Sequence, residues 1–303
     1  MGRITARKRV VRVRVDADRD EEATSARADV LAVEEPLEIR IGGEPLTVTM
    51  RTPGHDVELA AGYLVAEGVI TREGQFASAI HCGGPGAPGR IIETGRLSLT
   101  PTSVEGNTYN VLDVTLAPGT PLPETLTSRR TYTSSACGVC GAASIDQVAR
   151  TSAFDVSADP VPVDAVRVAG FPEQLRAHQD VFDKTGGLHA AGLFDAVTGE
   201  MLVVREDVGR HNAVDKVIGW AALAGRLPLT GTVLQVSGRA SFELVQKAAM
   251  AGIPILAAVS APSSLAVELA ETSGLTLIGF VRGSTMNVYA RPDRVRVGVA
   301  APV

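Results

Sequence analysis

Cysteine is scarce in this chain, with three in 303 residues. A disulfide framework is therefore excluded, and any thiol chemistry must come from very few positions. Aromatic residues make up only 4%, which speaks against an aromatic-lined groove and for close-packed layers of Ala, Val and Gly. There is no excess of positive charge. The formal net charge is −5, which excludes a general nucleic-acid binder but not one local basic pocket for a phosphorylated ligand. No apolar run approaches the ~20 residues that a membrane span needs. The basic start, Met1 to Arg9, is followed by no apolar stretch, so no secretory signal is expected. Ala6 stands where N-myristoylation would need Ser or Thr. These absences predict a reducing, cytoplasmic setting, without repeats or low-complexity segments.

Apolar residues are plentiful at 45%, enough for a sizeable core. At ~100–200 residues per domain the length predicts two domains. The first half reads as strands with one helix. Val11, Val13 and Val15 alternate with Arg12, Arg14 and Asp16, the pattern of a half-buried strand, and Asp16 to Asp29 reads as an exposed loop. Gly42-Gly43 between Leu37–Ile41 and Leu46–Met50 predicts a hairpin. Thr52-Pro53-Gly54-His55-Asp56 opens a helix that Gly68 stops. Further strands are expected at Phe76–His81, Ile91–Leu99 and Val111–Leu116.

The proline-rich run from Ala117 to Arg130 then leads to the cysteines, and a short helix is expected from Gly141. Beyond Val163 helices and short apolar strands alternate, with a helix over Pro172–Asp183, strands at Leu188–Phe194 and Met201–Val204, and a helix over Asn212–Leu223. That alternation predicts an α/β unit with a largely parallel sheet covered on both faces. The expected limits are a strand-rich N-terminal α+β domain over 1–116, a connector carrying the cysteines over 117–163, and an α/β domain over 164–303.

Three constellations could carry chemistry. The first is Cys137-Gly138-Val139-Cys140, set among serines and glycines. A thiolate is a strong nucleophile near neutral pH, and small neighbours leave it open to a large partner. Three readings stay open here: a dithiol redox pair, a zinc site completed by His81 and Cys82, and a sulfur carrier. The second constellation is Arg205 to Lys216, densely polar where a strand should pass into a helix. A plain capping role, with Asn212 as N-cap and Asp215 in the first turn, is the competing explanation. The third is a run of Ser/Gly turns that end successive strands: Ser237-Gly238-Arg239, Ser260-Ala261-Pro262 and Arg282-Gly283-Ser284. Hydroxyls, free N–H groups and arginines at adjacent strand ends suit a phosphate or nucleotide. His189-Ala190-Ala191 puts Ala where a zinc deaminase needs Glu, and no C-x-x-C follows it, so deamination lacks its proton shuttle and two metal ligands.

The ordered set Met50-Arg51-Thr52-Pro53-Gly54-His55-Asp56, the Ser-Ser-Ala-Cys137-Gly-Val-Cys140-Gly loop, Thr185-Gly186-Gly187-Leu188-His189, Glu206 to Lys216, Ser237-Gly238-Arg239, Ser260-Ala261-Pro262 and Gly279 to Gly283 resembles the FdhD family, the formate dehydrogenase accessory sulfurtransferases. The resemblance covers about residues 50 to 290. It implies a cytoplasmic, homodimeric sulfurtransferase with a C-terminal domain of cytidine-deaminase-like, three-layer α/β fold. Such a protein takes sulfur from a cysteine desulfurase as a cysteine persulfide. It passes that sulfur to the molybdenum cofactor, in its bis-molybdopterin guanine dinucleotide form, before insertion into the formate dehydrogenase catalytic subunit. Motif by motif, the persulfide cysteine corresponds to Cys137. The cofactor-binding strand end corresponds to Phe280, Val281, Arg282, Gly283, Ser284 and Thr285, and no permanent metal is implied. A zinc- or cofactor-holding escort without sulfur turnover is the alternative.

Overall fold

The computed structural model describes residues 4–15, 23–82, 109–123, 126 and 152–298. Cys137 and Cys140, the strand expected at Ile91–Leu99 and the helix expected from Gly141 lie outside the described residues.

Strands β1 (Thr5–Val13) and β2 (Thr24–Ala32) pair antiparallel as a separate ribbon. The expected half-buried face of β1 is not found: Val11 and Val13 are 65% and 62% exposed. The helix at Asp180–Thr185 contacts the ribbon at β2, and alternation in β1 alone does not bury Val11 and Val13. Thr24 to Asp29, read from sequence as loop, belongs to β2 because Ala and Ser between charges still satisfy a ladder.

Next come β3 (Glu35–Ile41), β4 (Glu44–Arg51), α1 (Asp56–Ala66), β5 (Phe76–His81) and β6 (Val111–Leu116). The β3–β4 hairpin turns on Gly42 and Gly43 with φ of 57° and 86°, the two positive dihedrals that a tight two-residue turn demands. The sheet order is β4-β3-β6-β5, with β3 parallel to β6. Helix α1 starts with Asp56 and Glu58 in its first turn, where carboxylates complement the helix dipole, and Gly68 follows its end at φ 76°. Leu59, Ala60, Ala61, Leu64, Val65 and Ala66 are all buried, so α1 lies inside the protein rather than on it.

The rest of the described chain builds β7 (Val163–Asp164), α2 (Ala165–Ala177), α3 (Asp180–Thr185), β8 (His189–Asp195), β9 (Met201–Asp207), α4 (Arg210–Leu223), β10 (Thr232–Val236), α5 (Phe242–Met250), β11 (Ile255–Ala258), α6 (Ser264–Ser273), β12 (Thr276–Arg282), β13 (Thr285–Ala290) and β14 (Val295–Arg296). The helix expected over Pro172–Asp183 is two helices. Asp164 caps the first by accepting from the N–H groups of Val166 and Arg167, and Pro172 lies within it.

The six-stranded sheet has the order β13-β12-β11-β10-β8-β9. Only the β10–β11 and β11–β12 pairs are parallel, and β8 and β13 run against their neighbours, so the sheet is mixed rather than largely parallel. The cause is local. Asp195 Oδ1 accepts from the N–H groups of Val197 and Thr198 and closes a tight turn between β8 and β9, and Gly283, at φ 53°, closes another between β12 and β13. Short turns can join only antiparallel strands.

Alternation along the strands splits their side chains between two layers. Phe194, Val233, Ile255 and Ile278 pack with Val168 and Phe171 of α2. Leu193, Leu234, Leu256 and Leu277 join α4, α5 and α6 on the opposite face. The three-layer α/β arrangement is thus present. The second of these clusters also includes Leu37, Ile39, Leu59, Leu64, Leu112 and Val114, so one continuous core serves both sheets.

The join is a helix crossing. A Cβ at Gly62 would lie 1.8 Å from the Asp215 carbonyl oxygen, and one at Gly219 would lie 1.7 Å from that of Glu58. Glycine at both positions lets α1 and α4 touch backbone to backbone.

Candidate functional site

Strand directions gather the singled-out segments on one rim. The carboxyl ends of β10, β11 and β12 point the same way. Strand β8 runs opposite to β10, with Ala191 beside Val236, so His189 starts at that same rim. Asp207, the partner of His189 across the β8–β9 ladder, ends there too, and α4 departs from it. Ligands of open α/β sheets sit at this kind of edge.

The polar segment from Arg205 to Lys216 divides into two parts. Strand β9 runs on to Asp207, beyond the expected end at Val204. Asp207 is fully buried and pairs with Lys216, itself 1% exposed, at 2.7 Å. Its carboxylate also accepts from the N–H groups of Thr52 at 3.2 Å and Gly209 at 2.8 Å. Lys216 Nζ donates to the carbonyls of Thr52 and Glu206. Asn212 is not the N-cap; Gly209 is. Asn212 Nδ2 instead donates to the Met50 carbonyl at 2.7 Å and to Asp207 at 3.0 Å.

The Met50–Asp56 segment is thereby fastened to the start of α4. A second pair holds its other end: Arg51 donates to both carboxylate oxygens of Asp56, at 3.0 and 3.1 Å, with almost no exposure. These groups have no spare capacity for a substrate, so the density of this segment is largely structural.

What remains at the rim is different in kind. His211 Nε2 lies 2.7 Å from Glu243 Oε2 and 3.3 Å from Ser241 Oγ, tying the starts of α4 and α5 together. Asp215, one turn into α4, is paired with Lys247 of α5 at 2.7 Å. Burial nevertheless drives its carboxyl above the ordinary range, against the pull of Lys247. His189 is shifted the other way: burial, then the charges of Arg210 and His211, hold its imidazole neutral to lower pH than usual.

The strand end at 280–285 is open to solvent. Phe280 has a left-handed backbone, φ 53°, and is 36% exposed. Its N–H donates to the Ser260 carbonyl at 3.2 Å. Arg282 Nε donates to the Val259 carbonyl, and the guanidinium stands 5.9 Å from the Phe280 ring centre. Thr285 Oγ1 donates to the Arg282 carbonyl. Gly279 is needed beneath this turn, because a Cβ there would come within 3.0 Å of Pro262 and Tyr289. Arg282, Gly283, Ser284 and Thr285 are all exposed, whereas the Val281 side chain is buried in the core and can offer only its backbone.

Of the residues named for a zinc site, His81 and Cys82 are described, while Cys137 and Cys140 lie outside the described residues. His81 Nε2 is 3.7 Å from Asp56, and Cys82 Sγ lies near the Ile80 carbonyl. No group of three or more His, Cys, Asp or Glu suited to a metal ion occurs among the described residues. No helix among them is long and apolar enough to cross a membrane. The carbonyls of Met50 and Thr52, which complete the buried network, were not visible as partners in sequence. Backbone acceptors carry no residue signature, and the one available hint was the Thr-Pro-Gly turn itself.

Comparison with known proteins adds four findings. The pattern of the FdhD/NarQ family matches residues 32–296. The chain is 52% identical over 303 residues to the sulfur carrier protein FdhD of Streptomyces avermitilis, covering 99% of each. It is 54% identical over 295 residues to that of Mycobacterium tuberculosis, covering 97% of this chain and 100% of the other. A solved structure described as a formate dehydrogenase accessory protein of Desulfotalea psychrophila superposes with a TM-score of 0.70 at 22% identity, covering 97% of this chain and 100% of that one. At that identity the likeness is one of fold.

Proposed function

The chain belongs to the FdhD/NarQ family, and from that premise we propose that it is a sulfur carrier whose Cys137 holds the cargo as a persulfide. The carrying observation is the full-length identity, above 50%, to proteins named sulfur carriers, together with the C-x-x-C among small residues at 137–140. The donor is a cysteine desulfurase. The Cys137 thiolate attacks the terminal sulfur of the donor's persulfide. A new S–S bond forms on Cys137, the donor's S–S bond breaks, and the donor cysteine departs as a thiolate. Cys140 supports this step by protecting the persulfide.

The acceptor is the molybdenum cofactor in its bis-molybdopterin guanine dinucleotide form, a substrate on its way to the formate dehydrogenase catalytic subunit. An electron pair of the acceptor forms the new bond to the terminal sulfur, the Cys137 S–S bond breaks, and Cys137 departs as a thiolate. The exposed turn Phe280 to Thr285 is the proposed docking point. It offers a ring for stacking on a base, with Arg282, Ser284 and Thr285 for phosphate. Among the described residues Arg239 and Arg282 form no ion pair with any carboxylate, so the rim is left cationic in an otherwise acidic chain. The carrier acts as a cytoplasmic homodimer.

Intact-mass measurement after incubation with a cysteine desulfurase and cysteine tests the reading. An adduct of about 32 Da should appear, one sulfur atom, and should be missing in Cys137→Ala. A wild-type protein that never gains it, and instead retains stoichiometric zinc, would be a metal-holding escort.

A further inference from the structure

Arg210 is the odd cation of the rim. Elsewhere a buried or half-buried positive group is matched: Arg51 by Asp56, Lys216 by Asp207, Lys247 by Asp215. Arg294 shows what the protein does when no carboxylate bonds to a buried guanidinium. Its nitrogens donate to the carbonyls of Val156, Ser157, Asp159, Pro254 and Gly274. Arg210 has neither solution. Among the described residues it forms no ion pair, and its Nε is buried without a hydrogen-bond partner. The side chain as a whole is only half-buried, so its positive charge stays open to an anion at the rim.

His189 faces Asp207 across the β8–β9 ladder, three residues before Arg210, and its burial favours the neutral ring, which keeps one donor and one acceptor. A Cβ at Gly238 would lie 3.5 Å from His189 Nδ1, so glycine there puts no side chain against that nitrogen.

We propose that Arg210 and His189 form a second anion subsite, which takes a phosphate group of the same ligand that docks at Phe280 to Thr285. The two places are distinct. Strands β12, β11, β10 and β8 are successive neighbours, so three strand spacings, roughly 14 Å, separate them. A single pyrophosphate is too short to bridge that span, whereas a ligand of dinucleotide length does. Arg239, at the end of β10 between them, is exposed and without an ion pair among the described residues, and continues the cationic track. The inference rests on the phosphorylated acceptor proposed above.

Calorimetric titration of the full chain with inorganic pyrophosphate, and separately with guanosine diphosphate, is the test. Arg210→Gln should weaken pyrophosphate binding about tenfold, the effect of losing a charge-assisted hydrogen bond. Arg210→Lys should recover part of it. Arg72→Gln, in the exposed loop after α1, should bind as the wild type does. Because pyrophosphate cannot bridge the two places, Arg282→Gln should leave binding at the Arg210 subsite as it is in the wild type. Circular dichroism and a thermal melt establish that each variant is folded. Unchanged pyrophosphate binding in folded Arg210→Gln would overturn the subsite, as would complete loss of binding in Arg282→Gln alone. The two readings fail separately. A wild type that loads sulfur yet ignores pyrophosphate loses the subsite and keeps the carrier role. One that binds pyrophosphate and never loads sulfur does the reverse.

Discussion

Asp207 and Lys216 meet at 2.7 Å with neither side chain reaching solvent, and the Thr52 backbone is bonded to both of them. Removing one member leaves the other buried without its counter-charge. Lys216→Met is therefore expected to cost about 3–5 kcal/mol in urea unfolding. The double change Asp207→Asn with Lys216→Met should cost less than the single. A single variant within about 1 kcal/mol of wild type would show that the pair is not what fastens the Met50–Asp56 segment.

The crossing of α1 and α4 makes a sharper demand. Gly219→Ala would put a methyl 1.7 Å from the Glu58 carbonyl oxygen, which is backbone and cannot step aside. Loss of several kcal/mol, or of soluble protein, is expected. Gly170→Ala on α2 is the control, since its Cβ would meet only Gln174 at 3.8 Å. That change should be neutral or stabilising by about 0.5–1 kcal/mol, because it removes a helical glycine.

Glu58 links the two sheets to acid stability. Burial pushes its pKa up, but hydrogen bonds and charge from Arg205 and His55 outweigh burial and bring it down to about 2. A carboxylate held below its unfolded value of 4.5 stabilises fully above that pH, and the contribution is lost as the pH falls toward 2. Arg205→Gln should lower stability near neutrality and flatten the acid limb of the pH profile. Unfolding curves that stay parallel from neutral pH down through this window would count against the assignment.

Phe280 separates stability from binding. Its left-handed backbone suits glycine better than any residue with a Cβ, a strain of roughly 1–2 kcal/mol. Phe280→Gly should raise the melting temperature slightly or leave it unchanged. The same change should weaken guanosine diphosphate binding, because the ring beside Arg282 is gone. If both quantities fell together, the residue would be structural.

Much of this was legible in the chain itself. Gly42-Gly43 announced its hairpin through dihedrals that only glycine adopts readily, and the Ser/Gly turns after β10, β11 and β12 marked the rim. The polar run from Arg205 to Lys216 was visible, but its meaning was not. Whether Asp207 faces a substrate or a lysine further along the chain depends on where α4 packs, which no periodicity records. The mixed sheet was hidden for a similar reason, since short apolar strands look alike whether their turns reverse direction or not. Val11 and Val13 misled because alternation shows which face is apolar, not whether anything lies against it.

The shared core has a bearing on how the protein is made. Helix α1 ends at Ala66 and its main partner, α4, begins at Arg210. At ~5–20 residues per second, a ribosome needs roughly 7–30 s to supply the intervening chain. Throughout that interval Leu59, Leu64 and Val65 have no C-terminal layer to cover them. The nascent N-terminal sheet is thus a natural client for a chaperone that shields apolar helices, and a message truncated before α4 should yield an aggregating product rather than a stable fragment.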